Sequence, residues 1–329
     1  MLYGTDCCVE NKTLDCRYTL QVRCSAAYKT KRSRSMKLDG AGMKRIKLVV
    51  AYDGTNYCGW QIQPEKVTVE EVLNRALSEL LGEEIKVTGA SRTDSGVHSM
   101  GNVAVFDTNT RIPADKICYA VNQRLPEDVV VQDSCQVAPD FHPRRCYSEK
   151  TYEYRILNRK IPMPTLRRDT YFCYRNLDVE KMQQAAKYLE GKHDFKSFCS
   201  VRTSVEDTVR EILSCTVTKD GDIIKIRVKG TGFLYNMVRI IAGTLLSVGM
   251  GEREPEEIKK ILEVKDRAAA GPTAPAHGLT MIGIHYGKQE ERYQSITQGE
   301  KLEEKSEKKP EEKPEKNRRK TQGKTVDTE

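Results

Sequence analysis

The chain has 329 residues, of which 38% are hydrophobic and 31% charged, and its net charge of +8 is too small on its own to indicate a nucleic-acid partner. Its eleven cysteines include no Cys-x-x-Cys pair and are odd in number, which argues against both a zinc site and a disulfide framework. No apolar stretch reaches the roughly 18 residues of a membrane span and the acidic start is unlike a signal peptide, so we expect no membrane association and a cytoplasmic protein with free thiols.

The two ends of the chain differ in composition from its middle. Residues 1–43 have no hydrophobic period, and residues 288–329 combine 12 basic with 11 acidic side chains and very few apolar ones. Such segments cannot bury enough apolar surface to offset the entropy lost on ordering. We therefore predict that both ends are disordered. The remainder divides into an N-terminal half at 44–147 and a C-terminal half at 148–287.

Hydrophobic periodicity in the N-terminal half predicts alternating strands and helices. Thr68 and Glu71 form a capping-box pattern at the start of the first helix, and Gly82 is placed to end it. The predicted strands are 46–52, 85–88, 102–106 and 129–131, and the predicted helices are 68–81 and 114–124.

The C-terminal half repeats this rhythm. Its predicted elements are a strand at 151–157, a helix from the cap Asp178 to Gly191, two strands around Asp220-Gly221, an apolar helix from near Phe233, a short helix after Pro255 and a strand at 281–286. The interleaving of strand pairs with helices predicts an α+β fold made of two related βαββαβ units.

A polar loop lies between two strands of the N-terminal half. It brings Arg92, Asp94 and His98 within seven residues. An Asp-x-Gly sequence in a connection is typical of a plain turn, because aspartate caps its own backbone and glycine adopts positive φ. The same crowding of polar groups is also typical of a cleft site.

One charged residue interrupts the apolar helix of the C-terminal half. Arg239 is surrounded in sequence by Met237, Val238, Ile240 and Ile241. A buried guanidinium is costly without a carboxylate partner, so the pattern predicts an ion pair. The alternative is an arginine whose tip reaches water.

Other side chains could contact RNA. Tyr152 lies on a predicted strand, where it would either pack in the core or stack on a nucleobase. Arg144 follows His142-Pro143 and is a candidate phosphate contact. The five histidines have no metal-ligand spacing, so we expect no metal.

Seven segments together resemble the tRNA pseudouridine synthase A family over about residues 44–287. They are AYDGTNYCGWQIQP at 51–64, RTDSGVH at 92–98, FHPR at 141–144, KTYEY at 150–154, DFKSFCS at 194–200, GFLYNMVR at 232–239 and GPTAPAHGL at 271–279.

The resemblance implies two ferredoxin-like halves whose antiparallel sheets join, with the active-site cleft between them. It also implies a homodimer that isomerises uridines 38, 39 and 40 in the anticodon arm of tRNA without a cofactor. In that family pattern Asp94 is the catalytic aspartate, Arg239 its basic partner, Tyr152 the base-stacking tyrosine and Arg92 the residue that helps displace the nucleotide. The guanidinium would keep the aspartate ionised, as a nucleophile or as a base.

Three other functions compete with this interpretation. They are an RNA-binding module without catalysis, a nucleoside hydrolase that uses Asp94 against water, and an interaction protein that depends on its charged tail. The presence of Asp94, Tyr152 and Arg239 together argues against the first of these.

Overall fold

The computed structural model describes residues 42–200 and 206–287 as one large, mostly antiparallel sheet with helices. The predictions for the extreme ends, 1–41 and 288–329, lie outside the described residues. The strands are β1 (Lys44–Tyr52), β2 (Thr88–Gly89), β3 (His98–Thr108), β4 (Val129–Val137), β5 (Glu149–Asn158), β6 (Tyr171–Cys173), β7 (Gly191–Asp194), β8 (Val209–Asp220), β9 (Ile223–Gly230) and β10 (Leu279–His285). The helices are α1 (Val69–Leu81), α2 (Ile117–Val121), α3 (Val179–Lys187), α4 (Met237–Gly249) and α5 (Glu257–Val264).

The strands are ordered β4-β1-β3-β10-β5-β9-β8-β7, with β2 beside β3 and β6 beside β5. The predicted α+β class is therefore confirmed at the level of a mixed sheet with few helices. Strands β3 and β10 join the two parts of the sheet, and they run parallel there rather than antiparallel, through the pairs Thr280↔His98 and Met281↔Ser99.

Alternation along β1 explains the first core. Ile46, Leu48 and Val50 point to one face and are completely buried, where they pack against the apolar side of α1.

Within the described ranges, no helix has both the length and the apolar character needed to span a membrane.

The second core surrounds α4. Every residue of this helix except Arg239 is buried, so the helix is covered on nearly all sides. Strands β5, β8 and β9 and helix α3 supply the surrounding apolar side chains. The predicted helix began near Phe233, but α4 begins at Met237 because Asn236 adopts a left-handed backbone with φ of 61°.

The other predicted boundaries in the N-terminal part agree with the structure only in part. Helix α1 ends as predicted, since Gly82 adopts φ of 68°. At its start Thr68 occupies the N-cap position as predicted, but the capping box is wrong: the Thr68 side chain makes no capping hydrogen bond, and its buried hydroxyl has no partner in the described residues. The predicted strand at 85–88 is reduced to β2, because side chains of α1 satisfy the backbone N–H groups there: Ser78 for Ile85 and Asn74 for Val87.

Candidate active site

The loop at 90–97 carries Asp94 into a cleft that residues of β5 and α4 also line. Gly96 has φ of 77°, and the N–H of Val97 donates to the carbonyl of Asp94 over 3.1 Å. The segment is therefore a tight turn, as its sequence predicts. The turn also directs the Asp94 side chain towards α4, so the turn and the site are the same structure.

The segment at 53–60 braces this loop from behind. The N–H of Trp60 donates to the carbonyl of Thr93 over 3.1 Å, and the N–H of Gly96 donates to the carbonyl of Tyr57 over 3.3 Å. Gly59 packs so closely that a Cβ atom there would lie 2.5 Å from the carbonyl oxygen of Thr93. Sequence reasoning missed this bracing role, although the glycine before Trp60 was a signal of close backbone approach.

Arg239 reaches the loop from α4. Its Nη1 lies 3.1 Å from Oδ2 of Asp94, and the two side chains are only 18% and 19% exposed. Its Nε donates to the carbonyl of Ala274 over 2.8 Å, and Nη1 also donates to Oδ1 of Asn236 over 2.9 Å. The predicted carboxylate partner of Arg239 is thus Asp94, and the alternative in which the guanidinium extends into water is wrong.

Pairing with Arg239 alone would lower the pKa of the Asp94 carboxyl, but the pKa is shifted in the opposite direction. Burial raises the pKa of its carboxyl above the ordinary value of an aspartate, and the hydrogen bond and charge of Arg239 only partly oppose this. The carboxylate is therefore more basic than an exposed one. Arg239 and burial thus affect Asp94 differently: Arg239 fixes the direction of the carboxylate, and burial raises its proton affinity.

Tyr152 lies on the wall of the same cleft. It is 8% exposed, and its ring meets the ring of Phe233 edge to face at 5.2 Å between centroids. Burial, with the nearby Asp94 charge, raises the pKa of the Tyr152 hydroxyl to about 12. Tyr152 therefore packs in the core and also forms part of the cavity wall.

These side chains border a cavity of about 440 Å³. Arg92 lies at its mouth and is exposed. Arg144, Lys150 and Arg210 also line it, whereas Asp94 is the only carboxylate among the described lining residues. Five cations, counting Arg239, and one carboxylate suit an anionic ligand better than a hard cation, which takes several oxygen ligands. His98 does not line the cavity: its ring accepts from the N–H of Gly54 and contacts the carbonyl of Arg168.

The sequence matches a known family model, described as tRNA pseudouridine synthase, at residues 48–144 and 185–287. It is 48% identical to the tRNA pseudouridine synthase A of Thermoanaerobacter sp. (strain X514) and 46% identical to that of Acetivibrio thermocellus, each over 244 residues. Those alignments cover 74% of this chain and 100% of each relative. Among solved structures, a chain from the crystal structure of the archaeal box H/ACA sRNP Nop10-Cbf5 complex gives a TM-score of 0.27 at 14% identity, covering 72% of this chain and 46% of that one.

Proposed function

The chain belongs to the tRNA pseudouridine synthase family, and from this premise we propose that it isomerises uridine to pseudouridine at positions 38, 39 and 40 of the tRNA anticodon arm, with Asp94 as the catalytic carboxylate. The observation that carries the proposal is the buried ion pair of Asp94 and Arg239 on the wall of a cavity of about 440 Å³. Ligand cavities of roughly 300–1,000 Å³ hold small molecules, so this one accommodates a flipped nucleotide.

The reaction sets what the site must do. The N1–C1′ bond of uridine breaks, a C5–C1′ bond forms, the proton on C5 leaves and N1 gains a proton. The C5 atom can face the sugar only after the base has left the helical stack, which costs a few kcal/mol. Stacking on Tyr152 offsets part of that cost, since base–aromatic stacking contributes about 1–3 kcal/mol.

Asp94 acts in its ionised form. As a nucleophile it attacks the nucleotide, and as a base it removes a proton; both roles require an unprotonated carboxylate aimed at the bound uridine. Arg239 is its positioning partner, because the contacts with Ala274 and Asn236 fix the guanidinium. Arg92, exposed at the cavity mouth, helps displace the target nucleotide from its stem.

The fold of the family supplies a frame for the site. We propose that 44–147 and 148–287 are two ferredoxin-like halves. In support, the order is β4-β1-β3-β2 in the first and, leaving out the short strands β6 and β7, β10-β5-β9-β8 in the second, so both follow a fourth-first-third-second arrangement. We also propose a cytoplasmic homodimer in which one tRNA contacts both subunits. Light scattering after size exclusion, with and without tRNA, tests the dimer.

The test is to incubate the enzyme with unmodified tRNA transcript and map pseudouridine by carbodiimide treatment and primer extension. Modification at positions 38–40 without release of free uracil supports the proposal. Free uracil would indicate a hydrolase instead. Tight tRNA binding without any product would indicate a binding module.

A further inference from the structure

Lys150 is a half-buried cation on the cavity wall with no carboxylate partner in the described part of the chain. Its Nζ donates to the carbonyl of Ala90 over 2.9 Å. Other lysines on the neighbouring strand are paired: Lys225 with Asp220 at 3.1 Å, and Lys229 with Glu149. A desolvated ammonium with one neutral acceptor is energetically costly, so this position is typical of a lysine that binds an anionic ligand.

A second cation lies beside it. Arg144 is exposed, lines the same cavity and makes no ion pair among the residues that the structure describes. Burial, together with the charge of Arg144, lowers the pKa of Lys150 to about 8. Two adjacent unpaired cations repel each other, and an anion between them would relieve that repulsion.

The strand geometry relates this pair to the reacting base. Lys150 and Tyr152 are two residues apart on β5, so both face the cavity, with their Cα atoms about 7 Å apart. A phosphate joined to a nucleotide whose base contacts Tyr152 is therefore within reach of Lys150. The anion that accompanies a base in RNA is its phosphodiester.

We propose that Lys150 and Arg144 bind a backbone phosphodiester flanking the target uridine and so set how deeply its base enters the cavity. The inference rests on the proposed function and assigns positioning residues to the same site. Lys150 supplies a compact charge inside the cavity, whereas Arg144 supplies a planar fork at its edge.

The test uses tRNAs ligated from synthetic fragments with one neutral methylphosphonate, placed 5′ or 3′ of the target uridine. The wild-type enzyme should lose about 10- to 100-fold in kcat/KM on one of the two, mostly through KM, because a charge-assisted contact is removed. Lys150→Met should lose most of that factor on tRNA without a methylphosphonate. It should lose clearly less than the wild type when that phosphate is neutralised, because only the Arg144 contact is left to lose. Arg144→Met, at an exposed side chain that leaves the fold intact, should behave in the same way to a smaller extent.

Lys225→Met is the matched control, since Lys225 is a paired lysine outside the cavity; it should keep the full sensitivity to the modified phosphate. The proposal is overturned if Lys150→Met matches the wild type, or if its loss multiplies with that of both methylphosphonates. The Kd of RNA binding is measured for the same enzymes and the same tRNAs. A wild-type enzyme that makes no pseudouridine would overturn the proposed function, while the binding comparison would still decide the phosphate contact.

Discussion

Gly59→Ala perturbs the catalytic loop from outside the cavity. Gly59 has φ of 86°, and an added Cβ would lie 2.5 Å from the carbonyl oxygen of Thr93 and 3.1 Å from the carbonyl carbon of Asp94. The left-handed backbone alone costs alanine roughly 1–2 kcal/mol. To reach ordinary van der Waals contact, the loop must also move by roughly 0.9 Å.

This movement of the loop displaces Asp94, the residue whose position the reaction depends on most. A misplacement of about 1 Å at a catalytic group lowers turnover by roughly 100-fold. We therefore expect Gly59→Ala to lower kcat by about that factor and the free energy of unfolding by roughly 2–5 kcal/mol, the sum of backbone strain and overpacking. Tritium release from tRNA labelled at uridine C5 measures kcat, and urea denaturation measures stability.

Gly82→Ala separates the two effects. Gly82 also has positive φ, at 68°, but an added Cβ there meets nothing within 4 Å. It should lose roughly 1–2 kcal/mol of stability and keep wild-type kcat. Equal kcat values for Gly59→Ala and Gly82→Ala, or wild-type turnover in Gly59→Ala, would refute the bracing of the catalytic loop.

Two further predictions concern the buried ion pair. Arg239→Leu should fold, because α4 is apolar around that position. It should lose about 100- to 1,000-fold in kcat, since the Asp94 carboxylate loses its positioning donor. Circular dichroism checks the fold and tritium release checks kcat, and turnover at the wild-type rate would contradict the assignment of Arg239. For pH, kcat/KM should fall as acid protonates Asp94, at a pH above that of an ordinary aspartate because burial raises its pKa, and the residual activity of Arg239→Leu should fall at still higher pH. Stability depends on pH in the opposite sense, because the stabilising contribution of Asp94 is fully present below its unfolded pKa and is lost as pH rises through its folded pKa. If the acid limb of the kcat/KM profile does not move in Arg239→Leu, the effect of Arg239 on the pKa of Asp94 is contradicted.

Local patterns predicted the parts of the fold that depend on local causes. The alternation of β1 and the Gly82 end of α1 follow from side-chain period and backbone conformation, which the sequence displays directly. The partner of Arg239 was predictable as a type of residue, because a charge on an apolar helix needs an opposite charge. That this partner is Asp94, 145 residues away in the chain, came from the resemblance and not from the pattern.

Tertiary contacts decided what the sequence pattern could not. Phe233 and Leu234 extend the apolar pattern to residues before α4, but they line the cavity, and the left-handed backbone of Asn236 places the start of the helix at Met237. The raised pKa of Asp94 depends on how completely the cleft removes water, and a list of neighbouring charges does not give that quantity. The bracing by Gly59 requires two segments to meet, and neither segment alone predicts it.

The most direct test of the central claim compares the wild type with Asp94→Asn on unmodified tRNA, using carbodiimide mapping together with tRNA-binding Kd. The substitution keeps the shape of the side chain and removes the charge that faces Arg239. We predict pseudouridine at positions 38–40 with the wild type and none with Asp94→Asn, while the unfolding transition and the tRNA affinity stay close to those of the wild type. Turnover by Asp94→Asn at a rate comparable to the wild type would contradict the assignment of Asp94 as the catalytic carboxylate.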